Sequence, residues 1–243
     1  MADGSDSSEG LRPEFAAMLS RIVSAGVAAS PEQIEAYERQ QRRDLRREAL
    51  ASSGLHLPDA DRALVLSARL DKTKQACATV ATWARGAPKP GQSLENATPG
   101  ILVMCGGMGT GKTVAAAWWL SHVRGKAVTI HEAVRTYTRW KRAFSRGDEA
   151  LDELERLARI DCLLLDELGQ EDDQDAGPAR EVLHWIVDRR QSARRRTLIL
   201  TNLNASDLGH RFVMGTYDRR TGDRLRTVGQ IVEIAGESMR GRR

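Results

Sequence analysis

The sequence has few of the residues that build disulfide frameworks and metal clusters. It contains three cysteines, Cys77, Cys105 and Cys162, and no two of them have the CxxC spacing. Its five histidines include no HxxxH pair. An odd number of cysteines without such spacings argues against a disulfide framework and against a cysteine-based zinc site. We therefore expect no transition metal in this protein.

The sequence also has no hydrophobic run near the roughly 20 residues that a membrane-spanning helix requires. Its first ten residues, MADGSDSSEG, are small and acidic, without the basic and apolar regions of a secretory signal. We therefore expect a cytoplasmic protein with no membrane partner.

Positive charge is concentrated near the carboxyl terminus. The net charge is +4, and residues 189–243 contain 13 arginines but only five aspartates and glutamates. Such an imbalance indicates contact with phosphate groups, either of a nucleotide or of a nucleic acid. A solubilising arginine surface would give the same count, so charge alone leaves both interpretations open.

Composition divides the chain into four segments. Residues 1–10 are rich in Gly, Ser and Asp, which predicts a disordered tail. Residues 11–86 have helical periodicity and many charges, which predicts a small helical domain that binds a partner. Residues 87–99 contain three of the seven prolines and predict a linker. Residues 100–243 form the second predicted domain.

In this second domain, short apolar runs alternate with helical stretches. The alternation predicts an α/β fold, with a parallel sheet and helices on both of its faces. The predicted strands are Ile101–Cys105, Ala127–Ile130, Cys162–Leu165, Thr197–Leu200 and Ile231–Ile234, and the predicted helices cover residues 113–124, 132–146, 148–159 and 178–195.

A phosphate-binding loop follows the first predicted strand. The segment matches G-x-x-x-x-G-K-[ST] and opens a helix, which is the context this motif requires. Backbone N–H groups of such a loop surround phosphates, and its lysine neutralises them. The motif predicts ATP as ligand and Mg²⁺ as its metal, with Thr113 as a metal ligand. The predicted nucleotide-binding residues are Gly106, Gly107, Met108, Gly109, Thr110, Gly111, Lys112 and Thr113.

Two carboxylates end the apolar run Cys162–Leu165. We expect Asp166 to hold Mg²⁺ and Glu167 to orient and activate the attacking water. A second carboxylate at this place is typical of NTPases that hydrolyse their substrate. The acidic residues 171–175 just beyond are interpreted as a solvated loop, because like charges repel each other. Asn202 ends the next predicted strand, where it could hold the water or sense the γ-phosphate.

The predicted helix over residues 132–146 has an arginine face and an apolar face. We expect the apolar face, which contains Val134, Tyr137, Trp140 and Phe144, to be core. The arginine face is either solvated or follows a phosphate backbone. It contains Arg135, Arg139, Arg142 and Arg146.

With these motifs, residues 97–243 resemble the AAA+ ATPases of the DnaC/IstB type, which are helicase loaders and transposition helpers. The resemblance depends on GGMGTGKT, LLLDELG, RRRTLILTN and the ending DRLR…GESMR. It implies a P-loop AAA+ (ASCE) parallel sheet with flanking helices, preceded by the small helical domain. Because the sequence ends three residues after Arg240, we expect no C-terminal lid.

The resemblance also implies roles for individual residues. Asn202 resembles sensor 1, Arg224 resembles the arginine finger offered to a neighbouring subunit, and Arg240 resembles the sensor 2 arginine. An arginine finger implies ATP-dependent self-assembly or docking onto another ATPase. In initiator-like AAA+ proteins, an added helical element after the second strand contacts single-stranded DNA, and the arginine face falls at that place.

Two functions remain open. The first is an ATP-dependent loader that places a DnaB-type hexameric helicase on single-stranded DNA during replication initiation. The second is an IstB-like transposition helper that assembles on duplex DNA and recruits a transposase. The charge-rich helix behind Ser30 favours a protein-docking segment and therefore the loader. A nucleotide-gated adaptor that barely hydrolyses ATP is disfavoured by Glu167.

Overall fold

The computed structural model describes residues 30–67, 74–86, 100–123, 125–143, 149–171 and 173–236. The predicted tail and linker lie outside the described residues. So do residues 237–243, on which the expected absence of a lid depends. The chain divides between Asp44 and Leu45 into two compact units, and each is described by itself.

The first unit contains the amino-terminal part of helix α1 (Pro31–Ser53). Ser30 and Gln33 form a capping box, in which the Gln33 N–H donates to Ser30 Oγ at 3.2 Å and the Ser30 N–H donates to Gln33 Oε1 at 3.0 Å. Exposed side chains follow, with an ion pair between Glu38 and Arg42 at 2.8 Å, one helical turn apart. This part of α1 is thus a charged, exposed helix, as its sequence predicts.

A five-stranded parallel sheet forms the centre of the second unit, with the strand order β2-β3-β4-β1-β5. All five predicted strands are present, so the predicted parallel α/β architecture is confirmed. The strands are β1 (Ile101–Cys105), β2 (Gly125–Thr129), β3 (Cys162–Leu168), β4 (Arg196–Thr201) and β5 (Gly229–Glu233).

Eight helices of the described residues follow α1. Two of them, α8 and α9, were not predicted from the sequence. The helices are α2 (Asp59–Leu66), α3 (Gln75–Arg85), α4 (Lys112–Leu120), α5 (Ile130–Ala143), α6 (Glu149–Arg159), α7 (Ala176–Ser192), α8 (Ala205–Val213) and α9 (Arg219–Val228), with a short 3₁₀ turn at Asp173–Asp175.

Side chains of β1 point alternately to two separate cores. Ile101 and Val103 pack with α5, α6 and α7 on one face of the sheet, and Leu102 and Met104 pack with α3 and α4 on the other. Both faces are therefore covered, which is the arrangement expected for parallel strands.

Helix α3 packs on this sheet and not in a separate amino-terminal domain. Trp83 of α3 is 1 % exposed, and its ring lies 5.2 Å from that of Trp119 in α4. The Arg196 guanidinium stacks over Trp83 at 3.8 Å. The compact unit accordingly begins at Leu45, whereas residues 11–86 were predicted to form one domain ahead of the linker.

The sheet brings the sequence motifs to one edge. Strands β1, β3 and β4 are neighbours and run in the same direction, so their carboxyl ends lie together. Ligands of open α/β sheets bind at such ends. Among the described residues, no helix has the length and apolar character needed to cross a bilayer.

Candidate nucleotide-binding site

The phosphate-binding loop connects β1 to α4 and is fixed by backbone contacts at its start. The Gly106 N–H donates to the Leu203 carbonyl at 2.8 Å. Gly106 has φ +126°, and a Cβ at this position would lie 2.4 Å from the Ile234 carbonyl oxygen. Only glycine fits here, because the chain after β5 leaves no room for a side chain.

Lys112 lies inside the loop and is only 6 % exposed. Its Nζ donates to the carbonyls of Gly106 at 2.6 Å and Gly107 at 2.8 Å, and to Thr110 Oγ1 at 3.3 Å. A buried ammonium group beside the loop backbone suits an anion, since a phosphate can form charge-assisted hydrogen bonds with it. The first turn of α4, which begins at Lys112, adds its N–H groups and its positive dipole end.

The two carboxylates at the end of β3 lie in an irregular stretch of strand. The pairing of β3 with β4 shifts register between Leu165 and Leu168. Glu167 has φ +62°, in the left-handed region that residues with side chains rarely adopt. A non-glycine residue in this conformation is stored strain of the kind found at functional sites.

Asp166 is partly buried at the end of β3. It accepts a hydrogen bond from the Glu167 N–H at 2.7 Å, through Oδ1. Burial raises the pKa of the Asp166 carboxyl above its ordinary value, the neighbouring Glu167 charge raises it further, and the Glu167 N–H and Lys112 oppose the rise. A cation bound beside Asp166 would favour its charged form.

A cleft of about 610 Å³ unites the predicted site residues. Residues 108–113 of the loop form one wall, and Asp166, Glu167 and Asn202 form another. The structure thus brings together residues that are up to 94 positions apart along the sequence. Gln170 also lines this cleft.

The segment between α1 and α2, together with the first turn of α2, also lines the cleft, although no motif covers it. His56, Leu57, Pro58 and Asp61 line the cleft beside the loop. Sequence reasoning missed these residues, because they lie about 50 positions ahead of the loop and match no motif. Their mix of an apolar pair with polar neighbours suits a nucleoside base.

The oxygen donors of the cleft fit a magnesium ion. Thr113 and Asp166 both line it, and Mg²⁺ is usually held by one or two protein oxygens together with substrate phosphates. Among the described residues, no group of three or more His, Cys, Asp or Glu side chains could hold a metal. Two such oxygens are the kind of donors that suit a Mg²⁺ bound together with nucleotide phosphates.

Arg224 lies on α9 and does not line the cleft. Its guanidinium forms an ion pair with Asp188 of α7. The predicted sensor 2 residue, Arg240, lies outside the described residues.

The predicted arginine face occupies a second region of the surface. Arg135 and Arg139 are exposed on α5 and line a groove of about 900 Å³ together with Lys126 and Arg156. The apolar residues Val134 and Tyr137 are buried, which confirms the interpretation of this face as core for these two residues. The other named residues, Arg142, Arg146, Trp140 and Phe144, have no described side chain.

In the acidic segment after β3, Glu171 does not have the exposure that was predicted. Glu171 was interpreted as part of a solvated loop, but its side chain is only 2 % exposed. It accepts hydrogen bonds from the Gly169 N–H and the Tyr217 hydroxyl, and it pairs with Arg211. The prediction was wrong here because these partners relieve the like-charge repulsion that was expected to keep Glu171 in solvent.

Comparison with known proteins gives three related findings. Residues 94–243 match the family model described as IstB-like ATP binding protein. The replicative helicase loader DnaC of Escherichia coli strain K12 is 30% identical over 110 residues, which are 44% of this chain and 44% of the relative. DnaC of Buchnera aphidicola subsp. Schizaphis graminum is 29% identical over 129 residues, 51% of this chain and 50% of the relative.

Solved structures agree on the fold. A crystal structure of the DnaC helicase loader superposes with a TM-score of 0.51 at 20% sequence identity, covering 69% of this chain and 92% of that one. At this identity the likeness shows a common fold. The chain spans about half the length of the curated relatives it matches.

Proposed function

We propose that this chain, which belongs to the family of IstB-like ATP binding proteins, is an ATP-dependent helicase loader, because the curated relatives that it matches carry that name. In this proposal it binds ATP and Mg²⁺, contacts single-stranded DNA and places a DnaB-type hexameric helicase on that strand. The observation that carries the nucleotide step is the single cleft in which Lys112, Asp166 and Glu167 meet.

Five side chains of the cleft have roles in the proposed hydrolysis. Lys112 binds the phosphates, and these contacts replace its hydrogen bonds to the carbonyls of Gly106 and Gly107. Thr113 and Asp166 hold Mg²⁺, which neutralises charge that develops on the phosphates. Glu167 orients the attacking water and accepts its proton, and Asn202 holds that water from the end of β4.

The helicase-loading step is supported by the names of the curated relatives, both of which are replicative helicase loaders. The exposed amino-terminal part of α1 supports it from the structure. This part displays Ile34, which is 49 % exposed, among charged side chains. An exposed apolar residue on a charged helix suits a contact with a protein partner.

The DNA step is supported by the basic groove beside α5. Four cationic side chains, Lys126, Arg135, Arg139 and Arg156, line it, against two acidic ones. A groove of this charge attracts a phosphate backbone without reading its sequence.

Arg224 supports assembly with a further ATPase subunit. It does not line the cleft of its own chain and pairs with Asp188 instead, which suits a role at the nucleotide of another subunit. We propose self-assembly, or docking onto the helicase ATPase, as the state in which hydrolysis is fast.

The alternative is a transposition helper that assembles on duplex DNA and recruits a transposase. The matched family model favours the transposition helper, because it is described as IstB-like ATP binding protein. The names of the curated relatives favour the loader.

The form of DNA that the protein binds tests the proposal. We expect fluorescence anisotropy with ATP and Mg²⁺ to show at least tenfold tighter binding to single strands than to duplex of equal length, which corresponds to about 1.4 kcal/mol. Lys112→Ala is the matched control, because without the ammonium group it cannot bind the phosphates and should show no ATP-dependent part of the binding. A preference for duplex that depends on ATP would contradict the loader and support the transposition helper.

A further inference from the structure

Glu167 needs support from its surroundings to keep its unusual backbone conformation. Its φ of +62° is costly, and such a conformation persists only where neighbouring contacts enforce it. Two of these contacts are local: the Glu167 N–H donates to Asp166 Oδ1 at 2.7 Å, and the Gln170 N–H donates to the Glu167 carbonyl at 3.1 Å. A third comes from Glu171, which lies beyond the motif.

The Glu171 carboxylate binds the backbone of this turn directly. Its Oε1 accepts the Gly169 N–H at 2.9 Å, two residues after Glu167. Gly169 has φ +93° and packs closely against the Leu203 side chain, since a Cβ there would lie 2.6 Å from Leu203 Cδ1. Glu171 therefore fixes the turn at a residue whose other contact is with Leu203.

Two side chains from a distant part of the chain bind the Glu171 carboxylate and fix its position. The Tyr217 hydroxyl donates to both Glu171 oxygens at 2.8 Å, and Arg211 Nη1 lies 3.3 Å from Oε2. Tyr217 is fully buried, and burial together with the Glu171 charge raises its pKa well above the ordinary value. Tyr217 consequently keeps its proton and remains a donor.

Of these two residues, Tyr217 also connects to the helix that carries Arg224, through Phe212. The ring of Tyr217 lies 5.3 Å from that of Phe212, and Phe212 packs against Gly222 of α9, where a Cβ would come within 2.8 Å of its ring. Because there is no spare space at this contact, a movement of α9 would displace Phe212 and Tyr217.

We propose that Glu171 is a positioning residue that fixes the turn presenting Glu167 and connects this turn to α9. The inference rests on the proposed hydrolysis of ATP. Glu171 touches neither the loop of residues 106–113 nor the cleft in the contacts described. Its replacement should therefore reduce turnover while leaving ATP binding intact, since only the orientation of Glu167 changes.

The test is a comparison of kcat, KM and ATP affinity in the full chain, at a protein concentration where the wild-type rate per protomer is constant. We expect Glu171→Ala to lower kcat on the order of tenfold, because misplaced catalytic groups lose rate steeply. KM and the dissociation constant of a fluorescent ATP analogue should stay within about twofold. Glu171→Gln should retain at least half of kcat, because its amide oxygen can still accept from Gly169 and Tyr217.

Tyr217→Phe provides a second test that removes a single oxygen atom. It should lower kcat about threefold to fivefold with KM unchanged, as expected when one hydrogen bond is removed. If Glu171→Ala does not fold, the kcat of Tyr217→Phe tests the proposed role of Glu171 in its place. Glu155→Gln is the matched control, because Glu155 also pairs with arginines, Arg159 at 3.5 Å and Arg189 at 3.8 Å, but lies away from the cleft.

Three results would overturn the inference. One is a kcat of Glu171→Ala within twofold of wild type, and another is an unchanged kcat of Tyr217→Phe. The third is a parallel loss of ATP affinity, which would indicate damage to the whole cleft. A wild-type protein that shows no turnover with DNA and partner present would instead overturn the proposed hydrolysis, and this inference with it.

Discussion

Arg190 shows how single residues keep this fold together. It is fully buried, and its guanidinium donates to the carbonyls of Leu157 at 2.7 Å, Ile160 at 2.6 Å and Arg196 at 2.7 Å. Burial lowers its pKa to about 10, and nearby Arg195 contributes to the decrease. The residue thus joins the carboxyl end of α6 to the start of β4.

Arg190→Met should destabilise the protein by about 3 kcal/mol or more. The substitution keeps much of the apolar stem but leaves several buried carbonyls without a donor, each of which costs about 1 kcal/mol or more. Chemical denaturation measures the change. Arg189→Met is the control: Arg189 is exposed and only loosely paired with Glu155, so its replacement should cost about 0.5 kcal/mol or less. Equal stability of the two variants would contradict this account of Arg190.

For individual residues, the sequence predicts a functional role where a short motif contains the residue. Lys112, Asp166 and Glu167 were identified because their motifs are short and each follows an apolar strand. Glu171 was misjudged because its partners Arg211 and Tyr217 are 40 and 46 residues away, and no short pattern connects them. Long-range pairing of a carboxylate cannot be recognised from its neighbours in sequence.

At the scale of elements, α5 combines a structural face with a charged one. Val134 and Tyr137 pack into the core, and the Tyr137 hydroxyl and Lys141 both bond to Glu181 of α7. These contacts fix the rotation of α5 about its axis. Arg135 and Arg139 are consequently held on the surface that borders the basic groove.

Charge reversal of Arg135 and Arg139 should weaken binding to single-stranded DNA. We expect at least tenfold weaker affinity at moderate salt and a shallower dependence of affinity on salt, by about 0.7 for each phosphate that the variant no longer neutralises. Fluorescence anisotropy at several salt concentrations measures both. Reversal of Arg159 and Arg189, which lie on α6 and α7 outside the groove, is the control with equal change in net charge. Equal affinity for DNA in the two double variants would refute the proposed interaction.

The elements themselves were predictable where their periodicity was clear. All five strands and the helices α4 to α7 agree with the sequence pattern within a few residues. Helix α9 was missed because RRTGDRLRTV has few apolar residues; it begins at an Asp218 cap that accepts the Thr221 N–H at 3.0 Å. The packing of α3 was missed because its small apolar face gives no sign of which surface it meets.

At the scale of the whole molecule, the family expected from the motifs is confirmed: the chain is an AAA+ ATPase of the DnaC/IstB type. The fold gathers the nucleotide residues of one chain in one cleft. It keeps Arg224 outside that cleft, in an ion pair with Asp188. We therefore expect the catalytic site to be completed by a neighbouring subunit.

Mixing two inactive variants tests this expectation. Arg224→Ala and Glu167→Gln should each lower turnover by about a thousandfold or more, since an arginine finger and a water-orienting group each contribute strongly to the rate. A mixture of the two should recover part of the wild-type rate, because some interfaces then join an intact Glu167 to an intact Arg224. A mixture as inactive as its components would show that Arg224 does not act between subunits of this chain.

The most direct test of helicase loading is co-elution with the DnaB-type replicative hexamer of the organism that encodes this chain. The proteins would be combined with ATP and Mg²⁺ and separated by size exclusion. Ile34→Asp would test the exposed part of α1, and Val213→Asp, at a similarly exposed aliphatic residue of α8, is its matched control. We expect this protein and the helicase to elute in a shared peak. Ile34→Asp should weaken that peak, and Val213→Asp should preserve it. Separate peaks under every nucleotide condition would contradict helicase loading.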